Sequence, residues 1–256
     1  WQAPTPADRY NLVVIGGGSA GLTAASIAGR GGARTLLVDK TQLGGDCLHT
    51  GCVPSKALIA ASRRVHAIRT SSALGIEVAE PRVDFSGVRK HIRSAQAQIG
   101  ANDSPAAMAR LGVEAKFGGA RFTGPHTLEV GTDAVEAARI LIATGSRPQR
   151  LKLPGCTPIT SDEIFNLERL PRRLAIIGAG PIGCELVQAC ARLGSEVHVI
   201  ERGQRILPRE DADISRGVAE RLQAEGLTIH FGRQAVRAED AHLGLDDESK
   251  IALDEC

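Results

Sequence analysis

Two stretches of this chain, 162 positions apart, carry the same pattern, and little else in the sequence restricts the fold as tightly. The apolar run Asn11–Ile15 leads into Gly16, Gly18 and Gly21 (G-x-G-x-x-G). An alanine-rich segment reaches Gly31, and the run TLLV ends on Asp39. Each marker recurs: LAII, then Gly178, Gly180 and Gly183, a helical run to Gly194, and EVHVI ending on Glu201. One G-x-G-x-x-G is weak evidence. Two copies, each after a predicted strand and each with an acid 18 residues past the last glycine, predict two βαβ nucleotide-binding units.

The pattern has a physical basis. The first glycine makes a tight turn, the second lets a pyrophosphate approach the backbone, and the third lets helix and strand pack closely. The helix N-terminus then offers unpaired N–H groups and partial positive charge to phosphate, and the terminal acid reaches ribose hydroxyls. The bland alternative is a pair of glycine-rich βα turns that bind nothing. The expected fold class is α/β: two Rossmann-like lobes, the first with a strand meander and the second incomplete. Residues 1–148 and 149–256 are the expected domains, joined by the proline-rich linker SRPQRLKLPGCTPIT. Between the copies the sequence predicts helices over 53–70 and 84–111, the latter broken near Asp103-Ser104-Pro105. Short strands follow in GVEAKFGGARF, HTLEV and ARILIATG.

Composition fits buried parallel strands. The 256 residues are 43% hydrophobic but only 3% aromatic, so the interior must be built from Ala, Val, Ile and Leu. A net charge of +2 from interspersed residues makes no electrostatic case for nucleic acid or a membrane surface. No apolar run is long enough to predict a membrane span.

The second informative stretch is GGDCLHTGCVPSK, Gly44 to Lys56, with Cys47 and Cys52 separated by four residues. In an ideal helix such positions lie roughly 8–9 Å apart. A disulfide requires about 4.4–6.8 Å, so a bridge here would need a distorted turn, and Gly51 is expected to supply it at positive φ. Beyond it the sequence predicts a helix start at Cys52 with Pro54 in the first turn, where the helix dipole favours a thiolate. A zinc site is not expected, because no second cysteine or histidine pair completes one. The remaining cysteines, Cys156, Cys184, Cys190 and Cys256, are expected to be reduced thiols in a cytoplasmic protein.

Every fixed position of that run matches G-G-x-C-x-x-x-G-C-[VI]-P-[SK]-K. It resembles the redox motif of the flavoprotein disulfide reductases that use pyridine nucleotides, such as glutathione reductase, dihydrolipoamide dehydrogenase and mercuric reductase. The resemblance implies FAD on the first copy, at Gly16, Gly18, Ser19, Ala20, Gly21 and Asp39, with further contacts from Asp46, Lys56, Ala120, Thr144 and Gly145. It implies a nicotinamide nucleotide on the second, at Gly178, Gly180, Pro181, Ile182, Gly183 and Glu201. The pair Cys47–Cys52 is implied to be a redox-active disulfide fed by the reduced flavin through Cys52. Lys56 and Glu185 are implied to form a pair that tunes the flavin. Asp39 stands where relatives more often have Glu, Asp46 where many have Thr, and Pro181 where some carry a gating tyrosine.

A carboxylate at Glu201 favours NADH, while Arg202 and Arg205 keep NADPH as the alternative. Reducing power is expected to pass from NAD(P)H through FAD and the cysteines to a disulfide or Hg(II)-type acceptor, most like mercuric-reductase-type proteins. Dihydrolipoamide dehydrogenase is the alternative within the family, and a flavin-binding redox sensor the alternative from another class. A homodimer is the expected partner state. The relatives' acid–base histidine, carried on the partner subunit, has no counterpart among His49, His66, His91, His126, His198, His230 and His242. The start at Trp1 and the end at ESKIALDEC read as the ends of a piece of a longer protein.

Overall fold

The computed structural model describes residues 9–254. It divides into two compact units: one runs to Pro54 and resumes over Arg93–Arg147, the other takes Ser55–Ile92 and the chain from Pro148 on.

In the first unit, β1 (Tyr10–Ile15), α1 (Ser19–Arg30) and β2 (Thr35–Asp39) form the expected βαβ start. A one-turn helix, α2 (Gly45–His49), comes next, and α3 (Cys52–Arg69) and α4 (Phe85–Gly100) carry the chain through both units. Then follow α5 (Pro105–Arg110), β3 (Val113–Phe117), β4 (Ala120–Phe122), β5 (Thr127–Val130) and β6 (Asp133–Ile142). The predicted helix break is real. Ser104 caps α5 by accepting a hydrogen bond from Ala107 N–H at 3.2 Å, and Pro105 sits at the first helical position, where its missing N–H costs nothing.

These strands form one six-stranded sheet in the order β3-β2-β1-β6-β5-β4. The first four run parallel, and β6-β5-β4 continue as an antiparallel meander. Strand β6 is longer than its sequence suggests because it does two jobs. Its first residues, Asp133–Glu136, pair with β5, and Ala137–Ile142 pair with β1. Side chains alternate across the sheet. Val14 and Leu37 pack on one face with Leu22, Ala25 and Met108, while Val13, Leu36 and Val38 pack on the other with Leu128 and Val130. Fully burying each such side chain stabilises the fold by about 1.5–3 kcal/mol.

The second unit repeats the opening: β7 (Arg173–Ile177), α6 (Pro181–Leu193) and β8 (Glu196–Glu201), then α7 (Ala212–Ala224) and β9 (Thr228–Phe231). Its parallel sheet has the order β7-β8-β9. Helix α6 ends on Gly194 at φ 115°, the left-handed cap that glycine adopts without strain. An antiparallel meander of β10 (Ala235–Glu239), β11 (His242–Leu245) and β12 (Lys250–Ala252) buries Leu243, Leu245 and Ile251 with Ile200 of β8. The duplication extends to register. Leu12 pairs with Thr35 and Ile15 with Val38; at the same offset, Leu174 pairs with Val197 and Ile177 with Ile200.

The segment expected to be a linker has no regular helix or strand but is anchored in the second unit. Leu153 is buried there, Ala238 N–H donates to Pro154 O at 2.8 Å, and Gly155 lies so close to Ala238 O that a Cβ would sit 1.9 Å away. Residues 55–92 also belong to this unit. Leu58, Phe85 and Ile92 face Ile164, Leu170 and Cys190 across a narrow gap.

Candidate functional site

The two glycine turns share one construction. Gly16 takes φ 111° and Gly178 φ 101°, a region L-residues rarely adopt. A Cβ on Gly21 would lie 1.8 Å from Gly16 O, and one on Gly183 2.2 Å from Gly178 O, so the third glycine of each motif is sterically required. Helices α1 and α6 start at Gly18 and Gly180 with no side-chain cap. Their first-turn N–H groups are thus left for another acceptor. No atom lies within 4 Å of where a Cβ would stand on Gly178 or Gly180, so the space over the second turn is open. Ser19, Ala20, Pro181 and Ile182, in the first turns, are exposed.

The terminal acids do something the sequence does not announce. Gly17 N–H donates to Asp39 Oδ2 at 2.8 Å, and the Thr41 and Gln42 N–H groups donate to Oδ1 at 2.9 and 3.1 Å. At the same offset, Ala179 N–H donates to Glu201 Oε2 at 2.9 Å and Gly203 N–H to Oε1 at 2.7 Å. Each carboxylate pins the middle of its glycine turn to the start of the following loop. Carboxylate oxygens have lone pairs left for ribose hydroxyls, so the two uses are compatible. Arg202 and Arg205 are exposed, and Arg205 donates to Pro208 O at 2.8 Å.

The cysteine segment is packed against the first turn. A Cβ on Gly45 would lie 2.5 Å from Gly18 Cα, and Gly45 takes φ 55° and Gly44 φ 106°. Cys47 is half-buried in α2, Cys52 is exposed at the start of α3, and Pro54 is buried in its first turn. Two expectations change here. The structure holds Cys47 and Cys52 as thiols, the reduced form of the couple, instead of as the disulfide that the resemblance implies. Gly51 is not at positive φ. It is needed because a Cβ there would lie 2.9 Å from Asp46 O, and the bend is made earlier, at Gly44 and Gly45.

The inter-cysteine residues are held from several sides. Leu48 is buried, the His49 ring donates through Nε2–H to Leu43 O at 2.8 Å, and Gln96 Nε2 donates to Leu48 O and His49 O at 3.1 and 2.9 Å. His49 is thereby occupied with its own backbone. Thr50 Oγ1 is buried with no hydrogen-bond partner. A cavity of about 580 Å³ opens behind the segment, lined by Leu43, Leu48, His49, Gln96, Asp103 and Phe117. Burial there raises the Asp103 carboxyl above its ordinary range, partly offset by His49.

Other expected residues fall around these turns. Thr144 Cα lies 3.1 Å from where a Cβ on Gly16 would stand, and Gly145 takes φ 69°, so the end of β6 converges on the first turn. Ala120 opens β4 opposite Val130. Asp46 is exposed in the first turn of α2, and Lys56 is exposed one turn along α3. Glu185 is exposed on α6, and among the described residues no ion pair joins it to Lys56, contrary to the expected pair. Cys184, whose Sγ lies 3.5 Å from Ala179 O, has its thiol raised to about 11, by burial and then by Glu201 and Glu185. Burial raises Cys190 to about 12. Cys156 takes part in a disulfide and is not the reduced thiol expected; Cys256 lies outside the described residues. Among the described residues no cluster of three or more His, Cys, Asp or Glu is arranged for a metal ion, and no helix is long and apolar enough to cross a membrane.

A doubled glycine turn with a dithiol segment packed on the first copy defines a flavin- and nicotinamide-binding redox protein. Residues 10–256 match the pyridine nucleotide-disulphide oxidoreductase family, and the chain belongs to it. Relatives include a mercuric reductase of Streptomyces lividans, 36% identical over 234 residues, covering 88% of this chain and 49% of that protein. A dihydrolipoyl dehydrogenase of Bacillus subtilis is 33% identical over 246 residues, covering 90% of this chain and 52% of the relative. Among solved structures, the HOCl-induced flavoprotein disulfide reductase RclA from Escherichia coli superimposes with a TM-score of 0.80 at 27% identity, covering 96% of this chain and 55% of that one. The chain thus spans about half the length of these relatives. Family membership brings FAD and a pyridine nucleotide as cofactors.

The residues present fit such groups. The uncapped helix starts, the open space over the second glycine turn, and the orphaned Thr50 hydroxyl suit phosphate-bearing nucleotides at these turns.

Proposed function

We propose that this chain is the cofactor-binding and dithiol-bearing part of an FAD-dependent disulfide oxidoreductase that moves electrons from NADH to Cys47 and Cys52. The observation that carries the reading is the close packing of Gly45, two residues before Cys47, on Gly18 of the first turn. On this reading the sulfur pair stands beside the turn that takes the flavin nucleotide.

FAD, when bound, supplies two-electron transfer between nicotinamide and sulfur. The chain's own residues do the rest. The first turns of α1 and α6 receive the two pyrophosphates, and Asp39 and Glu201 hold those turns in shape and meet the riboses. Repulsion of a 2′-phosphate by Glu201 makes NADH the preferred donor and NADPH the alternative. In balance, NADH, one proton and the Cys47–Cys52 disulfide give NAD⁺ and two thiols. The thiols then pass two electrons to an acceptor. Two adjacent soft sulfur ligands suit Hg(II) as well as an exchanging disulfide. The favoured acceptor is Hg(II), by the likeness of GGDCLHTGCVPSKAL and GPIGCELVQACARLGSEV to mercuric-reductase-type proteins; a dithiol–disulfide substrate is the alternative. A cytoplasmic homodimer is the working form that goes with this reading.

The test uses the full-length, FAD-loaded protein under anaerobic conditions. One equivalent of NADH is expected to create two new titratable thiols per chain, and Cys47→Ser or Cys52→Ser to create none while retaining FAD. No new thiols in the parent would overturn the reading. Turnover with Hg(II), lipoamide and glutathione disulfide then selects the acceptor.

A further inference from the structure

We propose that Gln96 is a positioning residue for the Cys47/Cys52 couple. Its side-chain amide holds the segment between the sulfurs in one conformation and thereby sets the couple's reduction potential. The inference rests on the reading that this couple is redox-active.

Helix α2 has five residues, too few to be stable alone, and its last carbonyls have no partner within the helix. Thr50 N–H returns to Asp46 O at 2.9 Å. Leu48 O and His49 O instead meet Gln96 Nε2, which comes from α4, nearly fifty residues further along the chain. One amide group thus ties both carbonyls that immediately follow Cys47. The same helix closes the other side: a Cβ on Gly100 would already stand 3.3 Å from Leu48 Cδ2. With His49 on Leu43 O and Gly51 against Asp46 O, Gln96 completes a clamp on all the chain between the two sulfurs.

The consequence is one of ring closure. Oxidation joins Sγ of Cys47 to Sγ of Cys52 and releases two protons and two electrons, taken up by a disulfide partner that becomes a dithiol. When the held turn is one that a bridge can close, the fewer conformations the open dithiol form explores, the higher the effective concentration of one sulfur at the other. Releasing the clamp leaves two carbonyls without their donor and loosens the segment. The bridge then forms about tenfold less readily, which for two electrons raises the midpoint by about 30 mV.

The experiment equilibrates full-length, FAD-loaded protein with dithiothreitol at graded dithiol-to-disulfide ratios. The oxidised fraction of the peptide holding Cys47 and Cys52 is read by thiol trapping and mass spectrometry, and each variant's melting is followed by circular dichroism. Gln96→Leu (no donor) and Gln96→Glu (an acceptor facing two carbonyls) are expected to shift the equilibrium constant about tenfold toward the dithiol. Gln96→Lys, which restores an N–H donor, is expected to stay within about twofold of the parent. Should Gln96→Leu fail to fold, Gln96→Asn, one methylene short of both carbonyls, is judged by the same criterion. Folded donor-less variants with the parental constant would overturn the assignment. A parent pair that forms no bridge at any ratio would instead overturn the redox reading beneath it.

Discussion

Replacing Asp39 by asparagine tests the central structural claim, that the acid after the second strand first serves the protein's own backbone. Asp39 receives three N–H groups, Gly17 on one oxygen and Thr41 and Gln42 on the other. Hydrogen bonds to a charged acceptor contribute about 1.5–3 kcal/mol each. An amide of the same shape keeps one oxygen. Its least costly orientation leaves that oxygen on Thr41 and Gln42 and turns NH₂ toward Gly17 N–H, so one charged bond is lost and two are weakened. The expected cost is about 3 kcal/mol. In a chain of this size that lowers the melting temperature by roughly 6–12 °C. Asp39→Glu is the internal control. Glu201 does the equivalent work in the second turn, reaching Ala179 N–H at 2.9 Å. The longer acid should therefore cost less than about 1 kcal/mol. Thermal unfolding of the apoprotein followed by far-UV circular dichroism reads both variants, and FAD titration should show weaker binding for Asp39→Asn alone. If Asp39→Asn melts within about 1 °C of the parent, or Asp39→Glu is equally damaging, the carboxylate is not the pin described here.

Two further outcomes follow from positions outside that turn. Gly183→Ala, forced to place a methyl 2.2 Å from Gly178 O, should cost about 2 kcal/mol or more; Gly217→Ala, exposed in α7 with nothing within 4 Å, should gain about 0.5–1 kcal/mol, both read by denaturant unfolding. His230 stacks on His198 with its Nε2 3.0 Å from His198 Nδ1. Burial, His198 and Arg233 hold it below its ordinary range against the pull of Asp247, and Glu196 faces His198. The unfolded chain then takes up the proton more readily, so stability is full above about pH 6.5 and falls as pH drops through the lower folded value. The parent should lose more melting temperature between pH 7.5 and 5.5 than His230→Gln; equal losses would count against the pair.

The architecture was legible because the strongest signals are steric. Only glycine fits at positions 16, 21 and 183, Gly178 takes a φ that other residues rarely adopt, and the repeated offset predicts register as well as motif. Ser104 and Pro105 carry the start of α5 in their chemistry. What escaped the sequence depends on partners far along the chain. Gln96 follows buried Ile92 by four residues on the same helix face, and no local pattern says that its amide reaches back to Leu48 O. Gly51 looked like the bend because it precedes Cys52, whereas close approach to Asp46 O is what it serves and Gly44 and Gly45 make the turn. The proline-rich stretch after Arg147 looked like a free connector because the strand that receives it, β10, lies some eighty residues later. The disulfide at Cys156 carried no spacing signal at all.

The double employment of Glu201 constrains how this chain can be retooled. Swapping that side chain for a neutral or basic one, the obvious route to a phosphorylated nicotinamide carrier, would unstitch the receiving turn before any new ligand arrived. A redesign, natural or deliberate, has to begin by furnishing Ala179 and Gly203 with a substitute acceptor; only then does a change of fuel become accessible.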